Sequence, residues 1–134
     1  MRDYQRTRNN KYVLPTPVYH QTIWLIRDYA RMVEQMDDIL LSTHTPLVGI
    51  PRGNRSYGVS ETVIKAEKRE TLRKKTAAIE AALETIPEEY RKPIWDNIQE
   101  RKAYPLYADK NTFGRWKSRL IYRVAVNAEL YIEY

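Results

Sequence analysis

The chain has 134 residues, of which 43% are hydrophobic and 30% charged, with no cysteine and a net charge of +6. This length fits one domain with a core of its own, and the composition argues against wholesale disorder. The lack of cysteine excludes disulfide scaffolds, cysteine zinc ligands and cysteine nucleophiles. No apolar run approaches the roughly 20 residues that cross a bilayer, and the polar N-terminus lacks a signal-peptide core, so we expect a cytoplasmic protein without membrane contact.

The first 41 residues are predicted to contain a basic arm and a long helix. Residues 1–14 are polar and lack helical periodicity, so they are interpreted as an N-terminal arm. The helix is expected to begin at Pro17, with Thr16 as its N-cap, because proline suits the first helical position. Its apolar residues recur at helical spacing and predict a buried stripe: Tyr19, Ile23, Ile26, Ala30, Val33, Met36 and Leu40.

A second long helix is predicted after a loop. Residues 42–59 hold most of the glycines and two prolines, which is typical of a long loop. The helix then runs from about Glu61 to Glu84, with a strongly charged middle that indicates a solvated face. Together the two helices are expected to form an antiparallel pair in residues 15–84, with the loop between them.

Residues 85–134 are predicted to form a compact helix-turn-helix unit. Pro87 lies at the first turn of its first helix, which ends near Lys102. The segment from Pro105 to Asp109 has room for about one helical turn, so the second helix is abbreviated. The last helix is expected over about residues 111–131, with Asn111 as its cap. Because strand signals are weak throughout, the predicted fold class is all-α.

The last helix separates into two faces when residues are placed 100° apart. Phe113, Trp116, Leu120 and Val124 form an apolar wall, and residues 110–123 contain five basic residues and no acid. Basic residues at a helix start oppose the helix dipole, so stability alone does not explain them. The opposite face carries side chains that bind bases or phosphates: Asn111, Thr112, Arg115, Ser118, Arg119 and Tyr122. Flanking cations are expected to contact phosphates: Lys102, Lys110, Lys117 and Arg123.

Metal and catalytic motifs are not apparent. His20 and His44 have no second ligand three or four residues further on, so no metal site is expected. The titratable residues form no recognisable catalytic set, so we expect neither an enzyme nor a bound cofactor. The three tryptophans, Trp24, Trp95 and Trp116, are expected in the core.

Two stretches resemble a known family. "AAIEAALETIPEEYRKPIWDNI" and "NTFGRWKSRLIYRVA" resemble the C-terminal half of phage and prophage transcriptional regulators with a sigma-factor-region-4-like unit, including the RinA-type late-gene activators. The order of the upstream segments, "YVLPTPVYHQTIWLIRDYARM", "VGIPRGNRSYGVS" and "ETVIKAEKRETLRKK", also resembles that family. The resemblance implies that the last helix, from Asn111 to Arg123 in particular, is the DNA-recognition helix of a helix-turn-helix.

Two functions therefore remain open from the sequence. The first is a sequence-specific regulator that binds double-stranded DNA through the last helix, with the arm adding contacts to the DNA. The second is a protein-interaction adaptor that docks on RNA polymerase or another phage protein through the first helix and does not read DNA. A homodimer is a further candidate assembly, because the apolar stripe of the first helix suits packing within the chain or between two chains.

Overall fold

The computed structural model describes residues 3–44 and 61–134. Five α-helices and no strand occur in these two ranges: α1 (Thr16–Arg27), α2 (Tyr29–His44), α3 (Glu61–Glu84), α4 (Glu88–Glu100) and α5 (Lys110–Asn127). The all-α fold class is confirmed, and α3 has its predicted bounds. The predicted loop over residues 42–59 lies mostly outside the described residues, and its first three residues belong to α2. None of the described helices combines the length and apolar content of a membrane span.

The long first helix predicted from Pro17 onward is two helices, interrupted at Asp28. The Asp28 N–H is shared between two carbonyls, those of Trp24 at 3.0 Å and Leu25 at 3.1 Å, which tightens the last turn of α1. The Asp28 carboxylate accepts two hydrogen bonds from the Arg31 guanidinium, at 2.7 and 2.6 Å. The N-cap of α1 is Pro15 rather than Thr16, and no side chain caps it.

This interruption changes which side chains are buried. Tyr19, Ile23 and Ile26 are buried as predicted, but beyond the interruption Met32 is the buried residue and Ala30 is exposed. Of the other predicted stripe residues in α2, Val33 and Met36 are partly buried and Leu40 is exposed, so the stripe is only partly confirmed beyond Asp28. Trp24, which was expected in the core, is 60% exposed. Trp95 and Trp116 are partly buried against the core.

α4 contains an internal proline whose missing hydrogen bond is replaced by one from a residue outside the helix. Pro93 has no N–H and cannot bond the Glu89 carbonyl four residues earlier. The Tyr107 hydroxyl donates to that carbonyl at 2.5 Å. The acceptor that proline leaves free therefore ties the segment after α4 back to the start of α4.

The connection between α4 and α5 contains no helix. Residues 101–109 hold a turn at residues 106–108 where one helical turn was predicted. Arg101, which ends α4, has a left-handed backbone with φ 57°. Tyr104 stacks on Phe113 of α5 with ring centroids 4.7 Å apart, which holds the connection against α5. The predicted abbreviated helix is therefore an irregular connection that aromatic packing keeps in place.

Both ends of α5 differ from the prediction. Asp109, not Asn111, is the N-cap, and its side chain accepts the Asn111 N–H at 3.0 Å. The helix ends at Asn127 because Glu129 has a left-handed backbone with φ 61°. The N–H groups of Leu130 and Glu129 then bond the carbonyls of Ala125 at 2.9 Å and Val126 at 3.1 Å. This is a Schellman motif, and it places a glutamate where glycine is usual.

A shared hydrophobic core joins the arm and the helices. α5 packs against α1, α3 and α4, while α2 packs along α3. The Tyr29 hydroxyl, at the start of α2, donates to Glu80 near the end of α3 at 3.2 Å, so these two helices are antiparallel. Helices from residues 15–84 and from 85–134 therefore pack on one another. The fully buried side chains of this core include Ile23, Ile79, Ile94, Phe113 and Leu120.

We expect Phe113→Ala to lower the free energy of unfolding by about 3–5 kcal/mol, because it leaves a cavity under three tyrosine rings that contact Phe113. Leu106→Ala is the control, since Leu106 is fully exposed, and we expect a change within about 0.5 kcal/mol. Denaturant unfolding followed by circular dichroism measures both. Equal stability of the two variants would contradict the central position of Phe113.

Candidate nucleic-acid interface

The outward strip of α5 is narrower than the helical angles predicted. Asn111 and Arg115 are exposed, and Thr112, Arg119 and Tyr122 are partly exposed. Ser118 is buried, with 9% of its surface exposed, so its predicted place on the outer face is wrong. A second apolar row, Ile121 and Ala125, lies beside Ser118 and packs into the bundle. Because α5 touches three other helices, a single apolar wall underestimates how much of it is buried.

Tyr122 uses its hydroxyl within the protein. A hydrogen bond with the Glu133 carboxylate raises the pKa of Tyr122 to about 12. Its ring also packs on that of Tyr131, with centroids 5.8 Å apart. The aromatic surface of Tyr122 therefore belongs to the interface region, whereas its hydroxyl is already occupied.

The four cations expected to contact phosphates occupy different environments. The Lys117 ammonium donates to Asn97 Oδ1 at 2.8 Å, and burial lowers its pKa. Lys117 therefore points into the bundle, and its predicted role on phosphates is not supported by its position. Lys102 pairs with Glu100 at 3.3 Å beside the end of α4. Lys110 and Arg123 lie on α5, and neither is paired with a described acidic residue.

The N-terminal arm lies across the start of α5. Arg6 Nη1 donates to the Asn111 carbonyl at 3.1 Å. A Cβ added at Gly114 would lie 3.2 Å from the same Arg6 atom. Gly114 therefore allows the arm to approach the helix closely, which is a more specific role than mere tolerance of glycine near a helix end.

Tyr12 brings the end of the arm over the outward strip. Its ring meets the ring of Tyr122 edge-on, with centroids 5.4 Å apart. The Arg119 guanidinium lies 5.9 Å from the Tyr12 ring and 5.5 Å from the Trp116 ring. A recess of about 250 Å³ is lined by Tyr12, Thr112, Arg115, Trp116 and Arg119. The arm thus adds an aromatic wall to the basic strip of α5.

Cations from the arm and from α5 are brought side by side. Arg6, Lys11 and Arg115 line one shallow recess of about 190 Å³, and Arg6, Arg8 and Lys110 line another of about 430 Å³. No carboxylate of a described residue lines either recess or the one beside Tyr12. We call this region the arm–α5 surface; its cations are Arg6, Arg8, Lys11, Lys110, Arg115 and Arg119.

The cations of the arm–α5 surface have no carboxylate paired with them in the described part of the chain, although the Glu133 carboxylate lies at the edge of this surface, beside the Tyr122 hydroxyl. None of its six cations forms an ion pair with a described acidic residue. The carboxylate closest to it in sequence, Asp109, accepts the backbone N–H of Asn111 as a helix cap. Gathering like charges without counter-charges is unfavourable, so this surface is suited to an external anion.

Sequence reasoning identified the α5 half of this surface but not the arm half. Arg6, Arg8, Lys11 and Tyr12 were assigned to an arm with general contacts to DNA, and no helical periodicity linked them to α5. The signal that was available is Gly114, a helix-disfavouring residue inside an otherwise regular helix. Glycine there is compatible with a close approach or with mere tolerance near a helix end, and tolerance was the favoured interpretation of the sequence.

Comparisons with protein-family models, curated proteins and solved structures find no match. The resemblance to phage regulators therefore still depends on the sequence segments that carry it.

A carboxylate anchors the beginning of the arm. Asp3 accepts two hydrogen bonds from the Arg27 guanidinium, at 2.7 and 2.8 Å, and one from Arg101 at 3.2 Å. These hydrogen bonds, led by those from Arg27, lower the pKa of Asp3 to about 2. Because both Asp3 and Arg27 are largely shielded from water, this anchor is more than a surface ion pair.

The anchor predicts an acid-dependent stability. Since the pKa of Asp3 falls from 3.8 to about 2 on folding, ionised Asp3 stabilises the folded chain above pH 3.8. This stabilisation is lost as the pH falls through about 2. We therefore expect Asp3→Asn to lower the free energy of unfolding at pH 6 and to have a much smaller effect at pH 2. A pH-independent difference between the two proteins in urea unfolding would contradict this expectation.

Proposed function

We propose that the protein binds double-stranded DNA through the arm–α5 surface and acts as a sequence-specific transcriptional regulator of phage or prophage type. The observation that carries the proposal is the gathering of six cations, from two distant parts of the chain, with no described acidic partner. A polyanion supplies the missing counter-charge, and release of its condensed ions favours binding. The regulatory role is what the family resemblance implies.

Duplex DNA is favoured over a compact anion because the surface is extended and contains groups that read bases. Arg115 and Asn111 are exposed, and arginine and asparagine make bidentate contacts to guanine and adenine in the major groove. The remaining cations suit phosphates on either side of that groove.

The arm sets how a duplex approaches. Tyr12 lies over Arg119 and Tyr122, so α5 does not protrude as a bare recognition helix. We infer that the duplex meets Arg115 and Thr112 of α5 together with the arm cations. This differs from the mode expected for a helix-turn-helix alone, in which the second helix supplies the groove contacts.

We expect Arg115→Ala/Arg119→Ala to weaken duplex binding strongly and to make the slope of log K against log salt less negative by about 0.9 for each phosphate that is no longer neutralised. Fluorescence anisotropy with a labelled duplex, over a salt series, measures both quantities. The matched control is Lys68→Ala/Lys74→Ala, which removes the same charge from exposed positions on α3. Ser118→Ala is expected to leave binding unchanged because Ser118 is buried. Equal weakening by the control pair and the test pair would refute an interface on α5.

An adaptor remains the second candidate function because of one exposed side chain. Trp24, at 60% exposure, lies over a trough of about 590 Å³ whose lining also includes Leu25, Lys75 and Leu130. Its ring is in contact with the Arg27 guanidinium, 4.9 Å from the ring centroid. Exposed tryptophans in grooves are enriched at protein–protein interfaces. RNA polymerase and a second copy of this chain are the candidate partners.

Trp24→Ala distinguishes this function from DNA binding. If the trough docks a protein, we expect the variant to bind bacterial RNA polymerase at least about tenfold more weakly, or to cease self-association, with duplex affinity unchanged. Biolayer interferometry with the polymerase and light scattering of the free protein measure these effects. The adaptor function would be refuted if the variant bound the polymerase and self-associated as the wild type does. It would also be refuted if duplex binding weakened in parallel.

A further inference from the structure

The arm cations need something to hold them beside α5. Arg6 and Lys11 share a recess with Arg115, and like charges at such distances repel each other. The described part of the arm, residues 3–14, also contains no helix. Its position therefore comes from specific contacts: those of Arg6 and Tyr12 with α5, and those at the base of the arm, at residues 3–5 and 14.

The inner contacts form a short closed loop of chain. The Gln5 side chain donates to the Leu14 carbonyl at 2.8 Å and accepts the Leu14 N–H at 2.6 Å. Leu14 itself is buried in the core, and the Tyr19 hydroxyl donates to the Tyr4 carbonyl at 3.1 Å. The segment between Gln5 and Leu14, which bears the arm cations, is thus closed at its base.

Asp3 joins that base to the helical core. Its carboxylate bridges Arg27 at the end of α1 and Arg101 just after α4. Arg27 is itself fixed, since its Nε donates to the Ile98 carbonyl at 2.8 Å. Arg101 has a left-handed backbone at the end of α4, which is uncommon for a residue with a side chain. Two guanidiniums from different parts of the chain therefore converge on one carboxylate.

Asp3 also lies within electrostatic range of a third cation. Its charge favours the protonated form of the half-buried Lys117 on α5, whereas Arg27 and Arg101 oppose it. Removing the carboxylate would leave three neighbouring cations without this counter-charge. The base of the arm would then no longer be attracted to the core.

We propose that Asp3 is a positioning residue for DNA binding: by anchoring the arm, it places Arg6, Arg8 and Lys11 on the same surface as the α5 cations. The proposal rests on the proposed function. It has an unusual consequence, because an acidic side chain then increases the affinity of the protein for a polyanion.

Asp3→Asn tests the proposal because two explanations predict opposite signs. If only net charge matters, removing a carboxylate strengthens duplex binding. If Asp3 positions the arm, the variant binds at least about tenfold more weakly, and the salt slope becomes less negative by about 0.9 for each arm cation that no longer contacts DNA. Fluorescence anisotropy over a salt series gives both values. Unchanged or stronger binding would overturn the proposal, as would weaker binding with an unchanged slope.

Asp28→Asn is the matched control. It removes the same charge from another carboxylate that accepts two hydrogen bonds from an arginine, and Asp28 does not touch the arm. We expect its duplex affinity to equal or slightly exceed that of the wild type. A decrease as large as that of Asp3→Asn would show that a general effect of charge or stability is responsible, and the proposal would fail.

A cycle with Arg8→Ala/Lys11→Ala isolates the arm. These substitutions are expected to weaken binding in the wild-type background and to have little further effect with Asp3→Asn, because the released arm no longer contributes. Additive decreases in affinity in the combined variant would overturn the positioning role. Failure of the wild type to bind any duplex would instead refute the proposed function, so the two failures are distinguishable.

Gln5→Ala provides a second variant if Asp3→Asn loses its helical circular dichroism spectrum. It opens the base of the arm without changing any charge and lies outside the buried core cluster. We expect weaker binding and a less negative salt slope, as for Asp3→Asn. Wild-type affinity in a folded Gln5→Ala protein would mean that arm position does not matter, and the proposal would be wrong.

Discussion

The packing of α5 against three other helices constrains the rest of the structure. Phe113, Leu120 and Val124 fill the space toward one side of the bundle, and Ser118, Ile121 and Ala125 fill it toward another. Only a narrow strip of α5 then remains outside, and it contains Arg115, Arg119 and their neighbours. Burial of this helix thus leaves most of its cations on the outer strip, because packed positions disfavour charged side chains. The exception is Lys117, whose ammonium is hydrogen-bonded to Asn97.

The contacts that join the arm to α5 are not ion pairs. Arg6 bonds a backbone carbonyl of α5, Gly114 leaves room for it, and Tyr12 packs against Tyr122. Charge attraction acts at the opposite end of the arm, where Asp3 meets Arg27 and Arg101. The attraction of Asp3 therefore offsets the repulsion between the cations of the arm and those of α5. The cations of the arm–α5 surface themselves have no acidic partner in the described chain.

Several residues that break local rules have a role in this arrangement. Because Pro93 has no N–H, the Glu89 carbonyl accepts a hydrogen bond from the Tyr107 hydroxyl instead, which joins the connection after α4 to that helix. Arg101 adopts a left-handed backbone and reaches Asp3. Gly114 disfavours the helix and admits the arm. Each local cost is offset by a contact between different segments of the chain, which is where sequence-level rules are expected to fail.

The sequence by itself determined the helical fold class, the bounds of α3 and the basic character of α5, because these follow from periodicity and composition within short windows. Tertiary structure alone decided that Asp28 interrupts the first helix, that Trp24 is exposed, and that Ser118 and Lys117 point inward. It also decided that the arm lies on α5. The reason is that burial depends on how many neighbours a helix has, and an arm without periodicity takes its position from contacts such as that of Asp3 with Arg101, nearly a hundred residues away.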